Sequence, residues 1–291
     1  MTLPHDDPAW LERMYNNRAL VPDHPAYFAR WAQESARARV GLPCALDLPY
    51  GDDRSETLDV FPAARPGSPV LVFVHGGYWR SLDKSEHSFV APPFVQAGAC
   101  VVVPNYALCP GAPGRPVTIV SIMRQMEAAL AWVWRNIARH GGDPQRITVV
   151  GHSAGGHLAA LLLTSAWPLM EGADLPEGLV RNALSVSGLH DLTPLMHVPF
   201  LQSTLQLTEQ QVLQASPALL PAPQQGLLHA AVGGDESEEF LRQCRLIQEA
   251  WGTRAVPRCQ VLPGLHHFSV VDALARPGHD LHHMALNLLR A

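Results

Sequence analysis

The sequence predicts an α/β fold: a mostly parallel, doubly wound sheet with helices on both faces and a small cap insertion. Three observations carry that expectation. Short continuous apolar runs recur at residues 70–74, 100–103, 147–150, 183–186, 228–232 and 259–262. Runs that do not alternate with polar residues suit strands buried on both faces, as in a parallel sheet. Helix-like segments separate them, at 117–139, 154–166, 238–251 and 280–289. The chain is also long, 291 residues with 47% apolar and 16% charged, so it can bury a large core as a single α/β domain spanning 1–291.

The remaining segments follow in order. Residues 1–40 read as a helical N-terminal segment, with helices at 8–17 and 25–40, each introduced by proline or an acidic residue. Residues 45–50 and 57–61 alternate apolar with polar across Gly51-Asp52-Asp53, the pattern of a hairpin. Residues 191–225 break the strand–helix rhythm with five prolines, and are expected to form a cap over the sheet.

Composition narrows the function. The 26 acidic residues outnumber the 21 basic ones, giving a net charge of −5, against the basic face that nucleic-acid binding needs. No apolar run reaches 18 residues, so no membrane span is expected. Residues 1–10 contain His5, Asp6 and Asp7 and lack the basic and apolar regions of a secretory leader. Five cysteines, odd in number and without a CxxC pair, read as free thiols of a reducing cytoplasm. The expected partner is a small-molecule substrate, with no nucleic acid and no membrane, and with a homodimer as the assembly considered.

The most informative stretch is Ile147-Thr148-Val149-Val150-Gly151-His152-Ser153-Ala154-Gly155. It places G-x-S-x-G between a strand and an apolar helix, the context that makes the motif a nucleophile elbow. Gly151 and Gly155 remove side chains that would collide across so tight a turn, and Ser153 becomes the candidate nucleophile. The helix beginning at Ala154 points its first amides at any negative charge that develops there.

A second strand end carries His75-Gly76-Gly77-Tyr78-Trp79, with Gly76 lying 77 residues ahead of Ser153. Acyl transfer builds negative charge on a carbonyl oxygen, and backbone N–H groups aimed at it stabilise the transition state. The candidates for this oxyanion hole are the N–H groups of Gly77 and Tyr78, with Ala154 as third donor. Gly76 serves the turn and His75 is read as structural. Tyr78, Trp79 and cap residues such as Phe200 are expected to wall the substrate site.

A nucleophilic serine needs a base and an acid downstream. Strand 228–232 runs into Gly233-Gly234-Asp235-Glu236-Ser237, and strand 259–262 into Pro263-Gly264-Leu265-His266-His267-Phe268. Either Asp235 or Glu236 can orient an imidazole, and either His266 or His267 can supply it. Other histidines compete poorly. His279, His282 and His283 have the i, i+3, i+4 spacing of a metal site, but a solvated helix face is the simpler reading. His157 is expected to pack within its helix. Asp191 is a candidate for substrate contact or cap anchoring. No metal and no cofactor are expected.

Together these residues resemble the hormone-sensitive-lipase-like branch of the α/β-hydrolases, and within it the kynurenine formamidase (arylformamidase) group and its bacterial esterase relatives. The carrying stretches are His75-Gly76-Gly77-Tyr78-Trp79, Gly151-His152-Ser153-Ala154-Gly155-Gly156-His157-Leu158, Gly233-Gly234-Asp235-Glu236-Ser237-Glu238-Glu239-Phe240 and His266-His267-Phe268. Glu12-Arg13-Met14-Tyr15-Asn16-Asn17 and Gly188-Leu189-His190-Asp191-Leu192 are also similar. The resemblance implies Glu236 as the acid and His267, directly before phenylalanine, as the base. It implies a cofactor-independent serine hydrolase: an arylformamidase acting on N-formyl-L-kynurenine-like substrates, or a broad carboxylesterase on short-chain or aryl esters. A non-catalytic binding protein on the same fold is the reading from another class, and the complete set of serine, acid and histidine candidates speaks against it.

Overall fold

The structure is a computed structural model that describes residues 7–170 and 174–291. Residues 1–6, the first part of the stretch read as lacking a secretory leader, lie outside the described residues. Eight strands form one sheet: β1 (Ala45–Pro49), β2 (Thr57–Phe61), β3 (Ser68–Val74), β4 (Cys100–Pro104), β5 (Gly142–His152), β6 (Val180–Val186), β7 (Leu227–Gly233) and β8 (Arg258–Leu262). Their order across the sheet is β1-β2-β4-β3-β5-β6-β7-β8. β2 pairs antiparallel with β1 and β4, and every other neighbouring pair is parallel. A further ribbon of two residues per strand joins Gly111–Ala112 to Arg115–Pro116.

All six continuous apolar runs lie in central or parallel strands, and the two alternating runs form the antiparallel edge. The reason is burial. Along β3, Val70, Val72 and Val74 pack into one core while Leu71 and Phe73 pack into the other. A strand covered on both sides needs apolar residues at every position.

Eleven α-helices surround the sheet among the described residues. The N-terminal segment forms α1 (Pro8–Tyr15), α2 (Asn17–Leu20) and α3 (His24–Gly41). The side chain of Asp7 caps α1 by accepting from the Ala9 N–H at 2.9 Å, and Pro8 starts the helix where its missing N–H costs nothing. α4 (Ala91–Gln96) links β3 to β4. α5 (Ile119–Asn136) opens on a capping box between Thr118 and Ser121, and α6 (Ala154–Thr164) follows β5 directly. α7 (Pro199–Leu205) and α8 (Glu209–Ala215) occupy the segment between β6 and β7, flanked by single 3₁₀ turns at Thr193–His197 and Pro217–Leu219. α9 (Glu238–Ala255) breaks at Gly252 (φ 75°), one residue past the boundary that the sequence predicts. α10 (Ser269–Leu274) and α11 (Asp280–Arg290) complete the set.

α4 and α10 are helices for which the sequence gives no adequate signal, since each is too short to show periodicity. The solvated reading of the C-terminal helix is corrected: α11 buries Leu281, His282, Met284, Ala285, Leu288 and Leu289. Parallel registry aligns the strand ends. Val74 pairs with Gly151, His152 with Val186, and Gly233 with Leu262. The loops that follow β3, β5, β6, β7 and β8 therefore emerge at one edge, where ligands bind in open α/β sheets.

Candidate active site

Ser153 sits at the tip of the turn between β5 and α6. Its backbone is forced to φ 56°, ψ −118°, and the residue is 2% exposed. The turn tolerates no bulk. A Cβ on Gly151 would stand 2.0 Å from the Gly155 carbonyl oxygen, and one on Gly155 would stand 2.0 Å from the Val74 carbonyl oxygen. The chain thus holds a polar side chain in a strained, fixed orientation above the sheet edge.

His267 Nε2 lies 3.1 Å from Ser153 Oγ, and His267 Nδ1 lies 2.6 Å from Glu236 Oε2. A carboxylate only accepts, so Nδ1 carries the proton and Nε2 presents its lone pair to the serine hydroxyl. The Glu236 side chain is fully buried, and that of His267 is 6% exposed. The second carboxylate oxygen accepts from the Gly233 N–H at 2.8 Å and from the Ser187 hydroxyl. These donors fix the carboxylate and compensate its burial.

The competing residues are turned elsewhere. Asp235 is exposed, and its N–H donates to the Leu265 carbonyl. His266 faces the Tyr27 hydroxyl at 3.1 Å through Nε2, and its backbone N–H donates to Ser269 Oγ. Of the two ambiguous pairs, Glu236 and His267 are the members brought to Ser153.

Gly77 (φ 104°), Tyr78 (φ 52°) and Trp79 (φ 55°) form a run of left-handed residues after β3. That backbone turns the loop back over the serine. Among the described residues, no acceptor is hydrogen-bonded to the N–H of Gly77, Tyr78 or Ala154. His75 braces the loop: its ring nitrogens lie 2.8 Å from the Gly76 carbonyl and 3.2 Å from Asn105 Oδ1, and its ring stacks on Tyr106 at 4.3 Å. Burial lowers the pKa of His75, which favours the neutral ring.

A cleft of about 280 Å³ opens beside Ser153, Gly77 and His267, walled by Tyr78, Phe28, Phe200 and Phe268. A wider depression of about 750 Å³ around Arg146 and Arg181 lies at the starts of β5 and β6, on the opposite edge from the serine. Trp79 corrects the sequence reading. It is fully buried, stacks edge-to-face on His157 at 4.9 Å and does not line the cleft. A tight loop sends neighbouring side chains in opposite directions, so Tyr78 faces the cleft and Trp79 the core. His157 packs as expected, bonded to the Ala215 carbonyl at 2.6 Å. Asp191 anchors the cap: its backbone N–H donates to Gln243 Oε1, and Arg242 approaches its carboxylate at 3.7 Å. His279 caps α11 and His282 bonds the Leu274 carbonyl; among the described residues no group of three His, Cys, Asp or Glu is placed to hold a metal.

Several residues escaped the sequence reading. His152 lines the cleft and bonds the His267 carbonyl at 2.8 Å. Ser187 stands at the end of β6, and following every strand to this edge finds it. The N-terminal segment supplies Tyr15, Asn17 and Arg18, latched by the Tyr78 hydroxyl, which donates to the Tyr15 carbonyl at 2.6 Å. Similarity to the formamidase group touched that stretch without giving it a place.

Comparison with known proteins supplies the family. The family described as BD-FAE matches residues 58–217. The chain belongs to the BD-FAE family. It is 29% identical over 261 residues to the kynurenine formamidase of Danio rerio, covering 87% of this chain and 84% of that protein. It is 32% identical over 267 residues to Esterase LipC of Mycobacterium tuberculosis, covering 82% of this chain and 63% of that one. A crystal structure from Silicibacter sp. TM1040, provisionally named a thioesterase, superposes with a TM-score of 0.81 at 31% identity, covering 95% of this chain and 98% of that one. This BD-FAE chain has the α/β-hydrolase fold and falls in the formamidase-like and hormone-sensitive-lipase-like esterase group. It is a hydrolase of the ester and amide type. No helix among the described residues is long and apolar enough to cross a membrane.

Proposed function

We propose that the protein is a serine hydrolase of small aryl formamides, N-formyl-L-kynurenine-like, acting through an acyl-enzyme. The observation that carries this reading is the continuous chain from Ser153 Oγ through His267 to Glu236, at 3.1 and 2.6 Å. In this scheme Ser153 attacks the formyl carbon while His267 Nε2 takes the hydroxyl proton. Glu236 holds the imidazole tautomer and stabilises the imidazolium. The N–H groups of Gly77, Tyr78 and Ala154 receive the oxyanion. His267 then hands its proton to the leaving aryl amine, and water repeats the sequence on the formyl-enzyme.

Two features support the formamide. The similarity to kynurenine formamidases runs over most of the chain, and a cleft of about 280 Å³ with aromatic walls suits one aryl group and a very small acyl group. The similarity to Esterase LipC favours a second reading, a carboxylesterase on short-chain or aryl esters with the same three residues. A cytoplasmic location belongs to the same reading, and the odd number of cysteines without a CxxC pair supports it. The deciding experiment is kcat/KM on N-formyl-L-kynurenine beside p-nitrophenyl acetate, with Ser153→Ala as the blank. A strong formamide preference supports the first reading, and ester turnover with little formamide activity replaces it with the second. Undiminished turnover by Ser153→Ala removes the serine mechanism itself.

A further inference from the structure

The cleft beside Ser153 has an unexpected charge. Its lining includes the guanidinium groups of Arg18 and Arg80 and no acidic side chain. Among the described residues neither arginine is paired with a carboxylate, although four other cations are: Arg30, Lys84, Arg135 and Arg242. In a chain whose acidic residues outnumber its basic ones, 26 to 21, this is a local reversal of sign.

Arg80 is held firmly, and the more exposed Arg18 is held by weaker contacts. Arg80 lies over the Phe200 ring at 5.3 Å and donates through Nη1 to the Phe200 carbonyl at 2.6 Å and to Thr204 Oγ1 at 3.2 Å. Arg18 lies over the Phe28 ring at 5.6 Å and reaches Ser81 Oγ at 3.4 Å through Nη2. Each arginine therefore retains donors not used in these contacts, and both flank the same aromatic walls. Burial first, and the neighbouring Arg18 second, lower the Arg80 pKa, so the two charges feel each other. Two like charges facing a small, partly apolar cleft focus a positive potential into it. An anion placed between them relieves their repulsion, and the planar guanidinium fork matches a carboxylate in particular.

We propose that Arg18 and Arg80 form an anion subsite, and that the substrate is an aryl amide or ester carrying a carboxylate on its aryl portion. The placement of the scissile carbonyl at Ser153 rests on the serine-hydrolase reading above. The carboxylate then serves as a handle that orients the ring and its leaving group.

The test uses matched probes differing by one carboxylate: the three formamidobenzoate isomers against formanilide. The expected result is that at least one isomer is preferred over formanilide by about tenfold in kcat/KM, through a lower KM. That preference should collapse toward unity in Arg18→Gln and Arg80→Gln, and shrink with added salt. Equal use of formanilide and every isomer, or a preference that survives both substitutions, overturns the proposal. If none of the probes is cleaved, calorimetric binding to Ser153→Ala separates the two readings. Tight binding of a formamidobenzoate that is lost on changing either arginine keeps the subsite while the formamidase reading fails. Binding no tighter than that of formanilide removes the subsite as well.

Discussion

His152 and His267 are joined by a hydrogen bond of 2.8 Å, donated from the His152 ring to the His267 backbone carbonyl. The residue directly before the proposed nucleophile thus holds the loop that carries the proposed base. Burial, and secondly the nearby His267, hold the His152 pKa well below its usual value. A neutral ring has a single N–H, and here it is spent on that carbonyl. The two rings sit 4.7 Å apart, so a shift of the loop moves the imidazole relative to Ser153.

His152→Phe should therefore lower kcat by about tenfold or more while changing KM little. It leaves a buried carbonyl without its partner, which costs about 1–3 kcal/mol of stability. Steady-state kinetics and thermal unfolding check this pair of outcomes. A fully active variant would show that the loop holds its place without His152.

The acid prediction compares neighbours. Glu236→Gln removes the charge beside His267 Nδ1 and allows the wrong tautomer, so kcat should fall by about 10⁴, as for the corresponding acid-to-amide change in a serine protease. Asp235→Asn changes an exposed side chain and should leave kcat within about twofold. Ser187→Ala removes one donor to the far carboxylate oxygen and should fall between them. The reverse ranking of the first two variants would displace Glu236 from its role.

These comparisons also show how far the sequence could be read. Continuous apolar runs locate parallel strands because burial on both faces demands them, and parallel strands place their ends together. Ser153, Glu236 and His267 follow loops at those ends, so their neighbourhood was legible. The choice between Asp235 and Glu236 was not legible from chemistry alone. One residue of displacement in a loop decides which carboxylate turns inward. Trp79 failed for a similar reason, because alternation inside a strained turn of left-handed residues has no periodic signature. Arg18 and Tyr15 were hidden because they reach the cleft from a segment more than 130 residues away in sequence from Ser153, and no local pattern records that packing.

Trp79 offers a direct check on its corrected position. It is fully buried against His157, so Trp79→Ala should behave as a core truncation and destabilise the protein by about 3–5 kcal/mol. A substrate-wall role predicts something else, a raised KM with little change in denaturant midpoint. Urea unfolding followed in parallel with KM distinguishes them.

The last prediction concerns acid. Burial depresses the pKa of His87 and His157 to about 3, and that of His190 to about 4. In the unfolded chain each returns to about 6.5. Between those values the unfolded state binds protons that the folded state refuses, so stability must fall as pH falls. The contribution of these rings is complete above about pH 6.5 and is lost progressively as the pH drops toward about 4. Several depressed histidines add in the same direction, since the acidic form of any one requires charging a ring inside the core. The midpoint of thermal unfolding should thus decline steeply from pH 6.5 to 4.5, before most exposed carboxylates titrate. His190 gives the sharpest single test. Its two ring nitrogens are bonded to the Gln243 carbonyl and to Ser185 Oγ, so His190→Gln can keep part of that bonding without titrating. Its unfolding midpoint should be lower than that of the parent at pH 7.5 and approach it as the medium is acidified. Parallel curves for parent and variant across this range would show that His190 takes up its proton without unfolding the protein.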